Sequence, residues 1–222
     1  MSRLESDGSV LRVGFVPGVT VTKWERVWAE RFPDIRLELI PLPMAAQSAS
    51  LREGAVDMCF VRAPFDRDGM HAIALYRETP VVVVPKDHPV AAFATVAEGD
   101  FADEIRQDTM DLDAAAGAIE LVAAGVGVAV VPHSIARLHH RRDVVYREVT
   151  DVPDTEIALV WPVDATSDTT EEFVGVVRGR TANSSRSPAN RAAPKAGKPA
   201  KPAKPAKPDK PRKKAPARRR GR

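Results

Sequence analysis

Cysteine is nearly missing from this chain of 222 residues, in which Cys59 is the single one. One cysteine excludes an internal disulfide, so a folded domain must rely on its noncovalent core. Cys59 lies inside the apolar run 56–61, which favours a buried thiol that packs as a small hydrophobic side chain. A redox or nucleophilic role is the alternative.

Long apolar segments are missing as well. No stretch approaches the roughly 20 residues that cross a bilayer. Residues 1–8 are polar, where a secretory signal would carry an apolar segment. We therefore expect a cytoplasmic protein without membrane contact, and association with the nucleoid would be a special case of that location.

Motifs for catalysis, metals or cofactors are also missing. No pair among the five histidines has the spacing of a helical zinc site with carboxylate support. The sequence contains no Gly-x-Ser-x-Gly elbow and no phosphate-binding loop of the Walker type. Gly125 and Gly127 come between a predicted helix and a strand, which is the reverse of a dinucleotide-binding turn. We predict a protein that is not an enzyme and binds no metal or cofactor.

Large apolar side chains disappear from residue 181 onward, where no Val, Ile, Leu, Met, Phe, Tyr or Trp occurs. Such a segment cannot bury enough apolar surface to offset the entropy of ordering it. Residues 181–222 are therefore predicted to be a disordered tail rich in Lys, Pro, Ala and Arg. Residues 1–9 are also predicted to be disordered.

Positive charge is concentrated in that tail. Residues 184–222 hold 15 of the 33 Lys and Arg residues and one acid, whereas the part before them has a net charge of −11. A Lys-Pro-Ala repeat matches the three residues per turn of polyproline II, so its lysines align along one side. We predict nonspecific, salt-sensitive binding to DNA phosphates. The residues expected to contact nucleic acid are Lys198, Lys201, Lys204, Lys207, Lys210, Arg212, Lys213, Lys214, Arg218, Arg219 and Arg220.

The tail has no aromatic residue, so base stacking and strong sequence preference are not expected. Two alternatives remain for it. The tail could serve solubility or contact other anionic surfaces, or it could fold back on the acidic body.

The preceding part alternates predicted strands and helices. Strands are predicted at 11–16, 35–40 and 56–61, separated by a helix with Trp24, Trp28 and Phe32 on one face and by a helix over 45–53. This rhythm favours a parallel sheet with helices on its faces. Further strands are predicted at 72–76, 80–84, 126–131, near 143–149 and at 155–161, with helices at 112–124, 134–140 and 169–177.

Several of these segments, in this order and spacing, resemble the effector-binding domain of LysR-type transcription regulators. The matching segments are 11–16, 29–39, 51–58, 80–89 and, the most specific, 121–132 with the sequence Leu-Val-Ala-Ala-Gly-Val-Gly-Val-Ala-Val-Val-Pro. They cover residues 10 to 178, and the subgroup that responds to aromatic acids is the most similar. The resemblance implies an α/β fold with two lobes, like type 2 periplasmic binding proteins, joined by two crossover strands. The domain would span 10–180, with lobe I at 10–80 and 162–180 and lobe II at 85–161.

The sequence departs from the family pattern at three places. Ten residues precede the first strand, where the family has a winged helix-turn-helix and a linker helix, so we expect that route to the major groove to be absent. About thirty residues, including a strand of lobe II, are missing after Glu104, which predicts a smaller second sheet and a shallower cleft. Met44 stands where a small hydroxyl residue is common.

By resemblance, an effector would bind in a cleft between the lobes. The candidate contacts are Gly18, Thr20, Thr22, Gln47, Arg62, Pro132, His133 and Ser134. Arg62 ends a central strand, where its planar fork of donors would suit a carboxylate. The alternative for Arg62 is a surface arginine paired with Asp66 or Asp68. Helix capping is the alternative for Thr20, Thr22 and Ser134.

Two functions fit these observations. The first is a LysR-like regulatory protein that binds a small effector, such as a carboxylate, between its lobes and associates with DNA through the tail. It would form a homodimer or pair with a full-length LysR-type regulator. The second is a nonspecific nucleoid-associated or DNA-associated protein, in which the globular domain is a scaffold for protein interactions without effector binding.

Overall fold

The computed structural model describes residues 10–180. The strands in this part of the chain are β1 Val10–Phe15, β2 Arg36–Pro41, β3 Met58–Arg62, β4 Met70–Glu78, β5 Pro80–Pro85, β6 Thr95–Val96, β7 Ala129–Pro132, β8 Val144–Val149 and β9 Thr155–Pro162. The helices are α1 Thr22–Arg31, α2 Gln47–Arg52, α3 Ala115–Ala123, α4 His133–Leu138 and α5 Asp168–Val177. None of these helices is long and apolar enough to cross a membrane.

The first lobe contains a five-stranded sheet in the order β2-β1-β3-β9-β4. β1 runs parallel to β2 and β3, as the alternation of strands and helices predicts. β9 lies antiparallel to both β3 and β4. The sheet is therefore mixed. Its last two strands, β9 and β4, are the ones that connect the two lobes.

Aromatic side chains fill the core of the first lobe. Trp28 of α1 is 1% exposed, and its ring meets Phe173 of α5 edge-on at 5.5 Å between centroids. Phe60 of β3 also meets Phe173 edge-on, and it stacks on Trp24 at 4.5 Å between centroids. The predicted helical face thus packs on the sheet, and α1 packs on α5.

The second lobe is built on a smaller sheet of four strands in the order β6-β8-β5-β7. β5 is its central strand, and its valines alternate between two cores. Val81 and Val83 pack toward α3 and α4, whereas Val82 and Val84 pack toward Val90 and the segment around Phe101. Burial on both faces explains why β5 is a continuous apolar run.

The predicted lobe boundary at residue 161 is wrong. β9 was expected in the second lobe, but it pairs with β3 and β4 in the first sheet. The chain therefore returns to the first lobe between β8 and β9. The predicted segments 1–9 and 181–222 lie outside the described residues.

The short connection after Glu104 lies along the outer edge of β7. Arg106 forms a parallel bridge with Val128. Val128 donates its amide hydrogen to Ile105 O at 2.8 Å, and Gln107 donates to Val128 O at 2.8 Å. Gly127, with φ of +67°, sits so close to this segment that a Cβ there would overlap the carbonyl of Ile105. Residues 105–107 therefore bind Val128, just before β7, at the place where the sequence predicted that a strand of the second lobe is missing.

Candidate functional site

Arg62 lies at the end of β3, where the two lobes meet, and its side chain is 1% exposed. Its guanidinium donates to the carboxylate of Glu78 at the end of β4. It also donates to Pro17 O at 2.9 Å and to Ser134 Oγ at 3.3 Å. The alternative of a surface arginine paired with Asp66 or Asp68 is wrong, because Arg62 is buried and pairs with Glu78. Asp66 pairs with Arg52 instead.

Gln47, the first residue of α2, is 5% exposed and binds the backbone of Arg62. Its Nε2 donates to Arg62 O at 3.0 Å, and its Oε1 accepts from Arg62 N at 2.9 Å. Both ends of this amide are thus engaged within the first lobe. Gln47 lies beside the cleft and fixes the end of β3.

The loop after β1 reaches the second lobe at Gly18. This residue has φ of +87°, and a Cβ there would collide with the side chain of Ser134. Thr20 is exposed at the cleft, and Thr22 begins α1. The capping alternative for both threonines is wrong, because the residue at the N-cap is Val21 and no side chain caps the helix.

The second lobe contributes the start of α4. Pro132 is buried at the end of β7, and it is the N-cap of α4. No side chain caps this helix, so Ser134 is not a cap; its hydroxyl accepts from Arg62. The ring of His133 lies 5.0 Å from that of Tyr146. Within residues 10–180, the buried His133 Nε2 has no hydrogen-bond partner.

A cavity of about 420 Å³ opens between these elements. Its walls come from both lobes and are formed by Gly18, Thr20, Trp24, Tyr76, Arg77, Glu78, Thr79, His133, Ser134 and Arg137. Burial, and secondarily the nearby Glu78, raises the pKa of the Tyr76 hydroxyl. The cavity thus combines apolar rings with hydroxyl, imidazole and guanidinium donors, the composition of a site for a small polar ligand.

A second carboxylate, which the sequence did not indicate, lies at this junction. Asp113 of the second lobe accepts hydrogen bonds from Met44 N at 2.8 Å and from Ala45 N at 3.1 Å. These amides begin the helical turn that precedes α2. Residue 43 is proline and has no side-chain acceptor for them. Asp113 thus acts as an N-cap side chain would. The one hint in the sequence is Pro43, because a proline before a helical turn cannot cap its amides.

The predicted effector contacts thus gather around one junction of the two lobes, apart from Thr22, which belongs to the first turn of α1. The predicted nucleic-acid contacts from Lys198 to Arg220 lie outside the described residues. Among residues 10–180, no three His, Cys, Asp or Glu side chains are grouped as a metal site would require.

Two α/β lobes, two crossover strands and a polar cavity at their junction define an effector-binding domain of the two-lobe type. The sequence profile described as the LysR substrate binding domain matches residues 5–106 and 105–182. The chain therefore belongs to the LysR substrate-binding domain family. The two matches meet at residues 105–106, the position where the sequence departs from the family order.

Curated relatives of this chain are transcription regulators. The Hca operon transcriptional activator HcaR of Escherichia coli is 25% identical over 204 residues, which is 78% of this chain and 68% of that protein. The regulator CatR of Pseudomonas putida is 28% identical over 171 residues, 64% of this chain and 58% of that protein. Such relatives agree with the prediction that the domain is regulatory and not an enzyme.

Solved structures share the fold. The BenM effector-binding domain with its effector benzoate has a TM-score of 0.64 and 22% identity, over 77% of this chain and 91% of that chain. An OxyR mutant of Corynebacterium glutamicum has a TM-score of 0.63 and 23% identity, over 78% and 66%. The predicted two-lobe α/β fold class is confirmed.

Proposed function

We propose that this protein is a LysR-like regulatory protein that binds a small carboxylate in the cavity between its lobes and associates nonspecifically with DNA through residues 198–220. The observation that carries the effector part is the cavity itself. Both lobes line it, and it combines the rings of Trp24 and Tyr76 with the Arg137 guanidinium.

Arg137 is the cationic group of the cavity best suited to an acid. It lies on α4 one turn beyond His133, and within residues 10–180 it forms no ion pair shorter than 4 Å. Arg62, in contrast, already holds Glu78, so we assign Arg62 a structural position and Arg137 the contact with the ligand carboxylate. The rings of Trp24 and Tyr76 would pack on the apolar part of the ligand.

Thermal unfolding with added ligand tests the effector part, and benzoate, the effector in the BenM structure, is the first probe. A ligand at 100 times its dissociation constant stabilises by about 2.7 kcal/mol, which is roughly 5–10 °C for a domain of this size. Arg137→Ala should remove most of that shift, whereas Arg142→Ala, an exposed arginine outside the cavity, should keep it. No shift with benzoate or other small acids would contradict effector binding.

The second function is supported by a different observation. Two groups at the junction that could bind an anion already bind carboxylates of the protein itself. The Arg62 guanidinium binds Glu78, and the Met44 and Ala45 amides bind Asp113. With these two groups occupied, the domain suits a nonspecific nucleoid-associated or DNA-associated protein in which it is a scaffold for protein interactions without effector binding. In the first function, the protein would form a homodimer or pair with a full-length LysR-type regulator.

The DNA part is tested by the salt dependence of binding to a mixed-sequence duplex. The complete chain is compared with a version that ends at Arg180. We expect binding by the complete chain alone, with log K falling by about 0.9 per phosphate contact for each unit of log salt concentration. Equal binding by both versions would exclude the tail as the DNA contact.

A further inference from the structure

We infer that the two lobes are held closed by a clasp made of the protein's own groups, in which the Asp113 carboxylate of the second lobe binds the Met44 and Ala45 amides of the first. Because the clasp uses only the protein's own groups, it is a property of the chain apart from effector binding. It predicts that this domain rests with its lobes closed.

The first part of the clasp is the helical turn Met44–Ala46, whose first amides have no side-chain cap from the preceding residue. The first amides of a helical turn have no partner within the helix. Here the residue before them is Pro43, which offers no side-chain oxygen, and Ala46 N is the one amide that finds a local carbonyl, that of Pro43. Met44 N and Ala45 N therefore take their acceptor from outside the turn.

Asp113 supplies that acceptor across the junction. Each of its two oxygens accepts one amide hydrogen, at 2.8 and 3.1 Å, so one carboxylate satisfies both donors. The Asp111 side chain accepts from Asp113 N at 2.9 Å and fixes the turn that presents the carboxylate. Hydrogen bonds to a charged acceptor are stronger than neutral ones. The two residues lie 69 positions apart in the sequence, so the contact joins separate lobes.

Packing supports the polar contact. The side chain of Met44 lies against the second-lobe core formed by residues such as Leu112 and Ile119, although Met44 belongs to the first lobe. Opening the cleft at this end would expose more of Met44 and break both hydrogen bonds to Asp113. The long Met44 side chain is what reaches the second lobe.

A second contact closes the junction nearer to β3. Arg62 Nη2 donates both to Pro17 O of the first lobe and to Ser134 Oγ of the second. The side chain of Ser134 fills the space that a Cβ at Gly18 would need. The Asp113 contact and the Ser134 contact join different elements of the two lobes. Together they resist both opening of the cleft and twisting of one lobe against the other.

The test measures the distance between the lobes in the complete chain without ligand. Spin labels are placed on Lys23→Cys in α1 and Glu120→Cys in α3, both exposed positions. The buried Cys59, with its thiol pKa raised to about 12, stays unlabelled. We expect one narrow distance distribution for the labelled parent. Adding Asp113→Ala should give a longer or broader distribution.

Hydrogen exchange gives the second measurement. Exchange of the Met44 and Ala45 amides should accelerate about tenfold or more in Asp113→Ala, since a hydrogen bond to a charged group is lost. Asp113→Asn, which keeps one acceptor oxygen, should give an intermediate change and serves if Asp113→Ala does not fold. Asp103→Ala removes an exposed acid of the same stretch and is the control.

Two results would overturn the clasp. One is a distance distribution and an exchange rate in Asp113→Ala equal to those of the parent. The other is an equal change in Asp103→Ala, which would assign the effect to the charge of the segment. Because no effector is added, either result leaves the proposed effector binding to be judged by its own thermal-shift experiment.

Discussion

Arg62 and Glu78 form an ion pair in which the side chains are only 1% and 6% exposed. Arg62 ends β3 and Glu78 ends β4, the strand that leads into the second lobe. The pair therefore fixes the first crossover strand to the center of the first sheet. Two buried charges of opposite sign are tolerated because each neutralises the other, and losing one leaves the other without compensation.

Replacing Glu78 with alanine should destabilise the domain by about 3–5 kcal/mol, because a buried guanidinium remains without its carboxylate. Urea unfolding followed by circular dichroism measures the change. Asp66→Ala, which breaks the exposed pair with Arg52, is the matched control and should change little. Equal effects of the two substitutions would mean that burial does not govern the Arg62–Glu78 contact.

Gly127→Ala should destabilise more than Gly125→Ala. Both glycines have positive φ, at +67° and +80°, so both substitutions strain the backbone by about 1–2 kcal/mol. A Cβ at Gly125 meets open space, whereas one at Gly127 would overlap the carbonyl of Ile105. The added cost should appear as a lower melting temperature for Gly127→Ala. Similar melting temperatures would show that the segment 105–107 does not hold its place on β7.

Trp28→Phe should cost about 1–3 kcal/mol, because the indole Nε1 donates to Ile35 O at 2.9 Å and that acceptor would lose its donor. Trp28→Ala should cost about 3–5 kcal/mol, since it also empties the core. Trp24→Phe keeps a ring stacked on Phe60 and is the control. Denaturant unfolding measures all three. A small loss in Trp28→Ala would contradict the described core.

The Cys59 thiol should not react with a disulfide reagent at pH 8 in the folded protein. Burial raises its pKa to about 12, so about one thiol in ten thousand is ionised at that pH. One equivalent should react once the protein is unfolded in urea. A fast reaction in the folded state would show that β3 opens or that the thiol is accessible.

The same raised pKa predicts a loss of stability in alkali. The unfolded thiol ionises near its ordinary pKa of 9.0, while the folded one keeps its proton up to about 12. Above pH 9 the unfolded state therefore binds fewer protons, so the stability contributed by the buried thiol falls as pH rises toward 12. Cys59→Ala should show a weaker decline over that range in urea unfolding.

The local elements were well predicted because their signals are local. The period of Trp24, Trp28 and Phe32 indicated α1, and the apolar run before Pro85 indicated β5. The placement of β9 was not predicted, since a continuous apolar strand fits either sheet equally well. Its true place depends on pairing with β3, about a hundred residues earlier in the chain.

The position of the candidate site was predicted, but the carboxylates that lie there were not. The resemblance predicted that Gly18, Arg62 and Ser134 lie at one junction, and in the structure they are in contact. The carboxylates of Glu78 and Asp113 were missed, because nothing next to them in the sequence marks their partners. Arg62 lies 16 positions from Glu78, and Met44 lies 69 from Asp113.

The segment that lies along β7 also protects the sheet from other chains. The carbonyls of Val126, Val128 and Val130 point outward from that edge, and each accepts a hydrogen bond from Gln107 or Thr109. An unpaired strand edge is a template for aggregation, and charges on it discourage pairing. The covering segment carries acids such as Asp108 on its exposed side. Loosening it should therefore reduce solubility before it reduces the folded fraction.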